Sequence, residues 1–179
     1  MGWTGGQDRG STIWRLSRLG RQTLELAPVP LAGIVDAERL ELTRESAGRE
    51  IDWRIGPLPT LDGDRSLLHE AIGHLLANAV KFTRHAPRAV IEVFARESGP
   101  PAVVVIRDNG AGFNAARAAE HLFTPFARFH AQQAYEGIGA GLAIVDKIVR
   151  RHGGRIWAES TEGNGATFAF TLGAPSPPG

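Results

Sequence analysis

With 179 residues, 20 Lys and Arg against 19 Asp and Glu, and 42 % apolar residues, the chain is sized for one globular domain with a small appendage, which excludes two large domains. A formal net charge of +1 gives no general basic field for nucleic acid. The lack of cysteine removes disulfides, zinc ribbons and thiolate catalysis and agrees with a reducing compartment, and no apolar run reaches the roughly 18–20 residues that span a bilayer. The expectation is a soluble, cytoplasmic chain with no nucleic-acid and no membrane contact.

Residues 1–10 hold four glycines and read as a flexible lead. Over 11–26, Ile13, Leu16, Gly20 and Leu24 recur every three or four residues among arginines, which predicts a helix with one apolar stripe. Pro28 and Pro30 close it and put a boundary near residue 27, with the main domain running over 28–173. A second amphipathic helix is expected over 31–47. Ile51, Trp53 and Ile55 then alternate as in a half-buried strand. Residues 56–64 read as a turn-rich loop, with Asp64 placed to cap a long helix over 65–83. Two β-branched runs, 89–95 and 102–107, should pair antiparallel across the turn at 97–101. Residues 108–136 form an unusually long irregular connection. A helix over 141–152 stops at Gly153 and Gly154, a final hairpin covers 155–159 and 166–172, and 174–179 is a loose, proline-rich tail. This order predicts an α+β fold, a two-layer α/β sandwich whose mixed, mostly antiparallel sheet carries its helices on one face.

Several familiar sites fail on spacing. His69 and His74 are five apart, about 140° around a helix, so they do not form a zinc-protease pair with Glu70. No P-loop run exists, and Gly137, Gly139 and Gly141 lack the dinucleotide spacing and do not follow a strand.

Four segments remain. Glu70, His74 and Asn78 make a polar row at successive i, i+4 positions, either a solvated helix edge or, with Asn78 as a neutral oxygen ligand for Mg²⁺ and Lys81 one turn on, a phosphate site. Asp108 ends an apolar strand before Asn109, Gly110, Ala111 and Gly112. The pair Asn109-Gly110 could be a hairpin turn, but 111–119 does not return as a strand, and a carboxylate there could accept from an exocyclic amine with Thr167 assisting. Phe123, Phe126 and Arg128 suit either a lid docked through its aromatics or plain loop anchoring. Gly137, Gly139 and Gly141 precede a helix beginning near Leu142, as a phosphate cradle or a hinge.

In order and spacing these segments resemble the N, G1, F and G2 boxes of the GHKL, or Bergerat-fold, ATP-binding superfamily. They are most similar to the catalytic and ATP-binding domain of bacterial sensor histidine kinases over about residues 31–172. The resemblance implies ATP and Mg²⁺ as cofactors, with Asn78 as the metal ligand and His74, Asn78 and Arg128 as the catalytic set. Lys81, Asp108, Gly110, Gly112, Phe123, Arg128, Gly137, Gly139, Gly141, Leu142 and Thr167 join Asn78 around the nucleotide under a long lid. Residues 11–27 resemble the end of the family's dimerisation and phosphoacceptor domain. His74 stands where kinases often carry Asn and where hydrolysing relatives carry a glutamate base. None of the six histidines lies in the N-terminal helix, so the implied phosphoacceptor histidine is expected from outside the chain, and a response regulator downstream. A hydrolysing ATPase of the same fold and a nucleotide-binding interaction module are the alternatives.

Overall fold

The structure, a computed structural model, describes residues 9–96, 100–125 and 140–173. The elements follow as α1 (Arg9–Arg21), β1 (Leu26–Pro30), α2 (Leu31–Glu45), β2 (Ile51–Ile55), β3 (Thr60–Asp64), α3 (Arg65–Phe82), β4 (Ala89–Arg96), β5 (Val103–Asp108), α4 (Ala115–Ala118), α5 (Gly141–Arg151), β6 (Arg155–Ser160) and β7 (Ala166–Thr171). A five-stranded sheet has the order β2-β4-β5-β7-β6, with β2 parallel to β4 and every other pair antiparallel. The mixed, mostly antiparallel α+β fold expected from the sequence is present.

The alternation along β4 explains the layering. Ala89, Ile91 and Val93 are buried while Val90, Glu92 and Phe94 are half-exposed, so one pleat face meets the helices and the other meets solvent. Ile91, Val93, Val104, Ile106, Phe168 and Phe170 join Leu68, Ile72, Leu75 and Leu76 of α3 and Val145, Ile148 and Val149 of α5 in one core. The N-cap of α3 is the one expected: the Asp64 carboxylate accepts from the Leu67 N–H at 3.1 Å, and its second oxygen accepts from the Glu25 N–H at 3.0 Å.

Two expectations need correction. Residues 56–64 are not wholly loop, because Thr60–Asp64 is a strand paired antiparallel with Leu26–Pro30, Leu26 opposite Asp64 and Val29 opposite Leu61. Pro28 and Pro30 do mark the end of helical structure, but α1 already stops at Arg21 and the prolines sit inside a strand of a two-stranded sheet, where a missing N–H is tolerated. The N-terminal helix is also packed onto the body: Leu19 is fully buried in the common core, and the buried Arg151 guanidinium donates to the Leu19 carbonyl and, at 2.6 Å, to that of Gln22. These bonds satisfy carbonyls that a helix C-terminus leaves open.

Candidate nucleotide site

The long helix α3 sets one wall. Its stripe diverges as the spacing argument requires. His69 Nε2 lies 3.3 Å from Glu38 of α2, and Glu70 takes a two-point contact from Arg15 of α1, with Arg15 Nε 3.0 Å from Oε1. His74 turns instead toward α5, where its Nδ1 lies 3.0 Å from the point a side chain on Gly141 would occupy. Burial pushes the His74 imidazole below its usual pKa, Glu70 opposing this and Arg15 adding to it, so His74 is neutral at pH 7. Asn78 follows one turn on, half-buried and without a side-chain hydrogen-bond partner among the described residues, and Lys81 occupies the last turn.

The second wall is the loop after β5. Asp108 is 5 % exposed, and burial raises its carboxyl to about 6 against the pull of backbone donors at Gly110 and Ala166. The Gly110 N–H reaches its Oδ1 at 2.8 Å. A Cβ on Gly110 would run into the Phe82 carbonyl, so this loop lies directly on the end of α3, and the Ala111 N–H donates to that carbonyl at 3.2 Å. Gly112 has φ of +63°, and a Cβ there would meet the Thr161 carbonyl of the β6–β7 turn. Asn109 makes no hairpin. Its amide pairs with the edge of β4, accepting from the Val90 N–H and donating to the Arg88 carbonyl, both at 2.8 Å. The Phe113 N–H donates to Ser160 Oγ at 2.9 Å, and Ser160 Oγ donates to the Gly165 carbonyl at 2.7 Å. The loop is thereby held between α3 and the final hairpin.

The structure sets His74 against Gly141 at the root of α5, and Gly110 against the end of α3, the helix that also carries Asn78 and Lys81. Two expected residues are placed differently. Thr167 stands opposite Arg107 in the ladder and its Oγ1 accepts from Arg107 Nε at 3.4 Å, on the outward pleat face, whereas Asp108 is registered with Ala166 on the helix side. Adjacent strand residues point to opposite faces, so Thr167 does not join the Asp108 carboxylate. Leu142 is 3 % exposed with its side chain in the core, which limits any nucleotide contact to its main chain. Phe123 is half-buried and packs against the same core. Arg128, Gly137 and Gly139 lie outside the described residues. An open cavity of about 260 Å³ is lined by Arg107, Asp108, Glu159, Ser160, Asn164 and Thr167, so Asp108 and Thr167 border one space although their side chains leave the sheet on opposite faces.

A polar helix stripe beside a buried carboxylate in a glycine loop is the arrangement the four boxes call for. The sequence matches the family described as Histidine kinase-, DNA gyrase B-, and HSP90-like ATPase over residues 63–176, which contain every element of this site. The chain belongs to that family. This ATPase-family domain is similar to cyanobacterial phytochrome B of Nostoc sp., 38 % identical over 170 residues, 93 % of this chain and 22 % of the relative. It is also similar to the methanogenesis regulatory histidine kinase FilI of Methanothrix harundinacea, 41 % over 161 residues, 89 % of this chain and 18 % of the relative. The sensor histidine kinase ZraS of Escherichia coli is 32 % identical over 169 residues, 88 % of this chain and 35 % of the relative. Among solved structures, mycobacterial sensor histidine kinase MprB aligns with TM-score 0.68 at 26 % identity, covering 84 % of this chain and all of that one. Full-length ShkA in complex with AMPPNP aligns with TM-score 0.71 at 28 % identity, covering 94 % of this chain and 36 % of that one. The chain spans about a fifth of the length of the first curated relatives.

Signals for the anchoring residues were weak in the sequence. His152 is fully buried, accepts from the Asp64 N–H at 3.0 Å through Nε2 and donates from Nδ1 to the Ile148 carbonyl at 2.7 Å. This joins the end of α5 to the start of α3. A histidine directly after an apolar helical stripe and before two glycines could have suggested a buried cap.

Proposed function

We propose that this domain binds Mg²⁺·ATP and delivers the γ-phosphoryl group to a histidine on a separate phosphoacceptor helix, as the catalytic part of a cytoplasmic two-component sensor kinase that feeds a response regulator. The observation that carries the reading is the buried Asp108 carboxylate, held against a glycine loop that lies on the C-terminal end of α3. An ionised carboxylate accepts from the exocyclic amine of adenine and repels the carbonyl of guanine, which selects the base. The neutral amide oxygen of Asn78 suits Mg²⁺, which keeps waters and substrate phosphates as its remaining ligands, and the described residues hold no group of three or more His, Cys, Asp or Glu able to cage a metal alone. Bound there, Mg²⁺ would offset charge on the phosphate oxygens.

Lys81 and Arg128 supply further positive charge toward the phosphates, and Gly137, Gly139 and Gly141 allow the lid to approach them. In the transfer the bond between the γ-phosphorus and its bridging oxygen breaks, a bond to the acceptor imidazole nitrogen forms, and ADP leaves. Such a reaction asks the protein for positioning and charge neutralisation, and needs no nucleophile from this chain. His74, neutral against Gly141, serves as a wall of the phosphate side. A hydrolytic reading would require a carboxylate free to activate water, and Glu70, the one candidate on the stripe, is taken by Arg15. The test is incubation with γ-labelled ATP, with and without a histidine-bearing helical hairpin. Label on the hairpin is the expected result; free phosphate at equal rate with or without it would overturn kinase chemistry.

A further inference from the structure

The stripe that carries Asn78 begins with a carboxylate that the phosphates would meet as a like charge. Glu70, His74 and Asn78 occupy successive turns on one side of α3, and at 1.5 Å rise per residue Glu70 stands about 12 Å along the axis from Asn78. Between them His74 abuts Gly141, the first residue of α5. Glu70 is not left bare: Arg15 of α1 grips both its oxygens, and each partner is only 25 % exposed, so the pair excludes much of the water that would otherwise screen it. Arg15 is thus a charge supplied to the α3 wall by an element outside the two layers. The same helix is held by the buried Leu19 and by the bonds from Arg151, so its seating and the contact at Glu70 come together.

We infer that the Arg15–Glu70 pair couples the seating of α1 to nucleotide affinity: docked α1 neutralises Glu70 and leaves the stripe receptive to a polyphosphate, and displaced α1 uncovers a carboxylate that repels it. Arg15 is a positioning residue in this scheme, acting through Glu70 and not on the nucleotide. The inference rests on the reading of this face as a nucleotide site, and the experiment separates the two.

Binding of a fluorescent ATP analogue with Mg²⁺ to the whole 179-residue chain is measured for the parent, Arg15→Gln, Glu70→Gln and the double variant, with thermal melts recorded alongside. A parent that fails to bind the analogue refutes the site itself, whatever the variants do. With binding established, Arg15→Gln should weaken it about 3- to 10-fold, and the deficit should shrink as salt rises from about 50 to 500 mM, as expected for one uncovered charge at this distance. Glu70→Gln should bind somewhat more tightly than the parent, because it leaves the Arg15 positive charge uncovered, and the double variant should recover parental affinity because no charge remains to uncover. Unchanged affinity in Arg15→Gln, a deficit insensitive to salt, or a deficit that persists in the double variant would each overturn the coupling. Arg15→Lys, which keeps the charge, should retain most of the affinity even if its melt shifts.

Discussion

The Asp108 carboxylate is buried, yet the role proposed for it requires the ionised form. Burial raises it to about 6 from the ordinary 3.8. The unfolded chain therefore ionises first on going up in pH. The neutral group's contribution to stability is complete below about 4 and is lost as pH climbs through 6, a change on the order of 3 kcal/mol from this residue. Adenine recognition runs the other way. Affinity for an ATP analogue should rise through pH 6 and level off near 7, and in Asp108→Asn binding should fall by at least about 10-fold while this pH step disappears, as calorimetric titration at several pH values would show. Binding that stays flat from pH 5 to 8 in the parent would count against the role. Gly112 makes a second test at this scale. An alanine there must hold φ near +63° and clears no space from the Thr161 carbonyl, so Gly112→Ala should lower the denaturant midpoint by an amount corresponding to about 2–4 kcal/mol.

Elements meet at one polar junction, where Asp64 caps α3 and its N–H donates to the buried His152 at the end of α5. His152→Ala leaves that N–H and the Ile148 carbonyl without the imidazole, and should cost about 1–3 kcal/mol in chemical unfolding; a change within about 0.3 kcal/mol would mean that neighbouring groups replace it. Elements with a strong period were legible in the sequence. The stripe of α3 with its Asp64 cap, the pairing of β4 with β5 and the closing hairpin all follow from local pattern. The β1–β3 pair was not, because two prolines and a glycine obscure any alternation and only the partner strand makes the segment extended. The site divides in the same way. Asp108, Gly110 and Gly112 carry their chemistry in sequence order, whereas placing Thr167 beside Asp108 required a register that residue types do not encode, and a one-residue slip exchanges the two faces of a strand. The engagement of Glu70 by Arg15 joins segments far apart in the chain and leaves no local signature.

At the scale of the whole molecule, the N-terminal helix is attached by packing at Leu19 and by the buried Arg151 guanidinium. Arg151→Ala removes charge-assisted bonds to two carbonyls. It should destabilise the docked helix by about 2–3 kcal/mol, seen as faster amide exchange over α1 with the strands of the large sheet still protected; equal acceleration in both would show that α1 has no separate attachment. The strand order carries a consequence for biogenesis. β7 is made after β5 and β6 yet lies between them, so until β7 emerges β5 has an open edge and β6 has no strand to pair with. Ala166, the residue across from Asp108, arrives with that strand. Until it does, the Asp108 carboxylate lacks the Ala166 backbone donor, so the surroundings proposed to read adenine are complete only once β7 is in place.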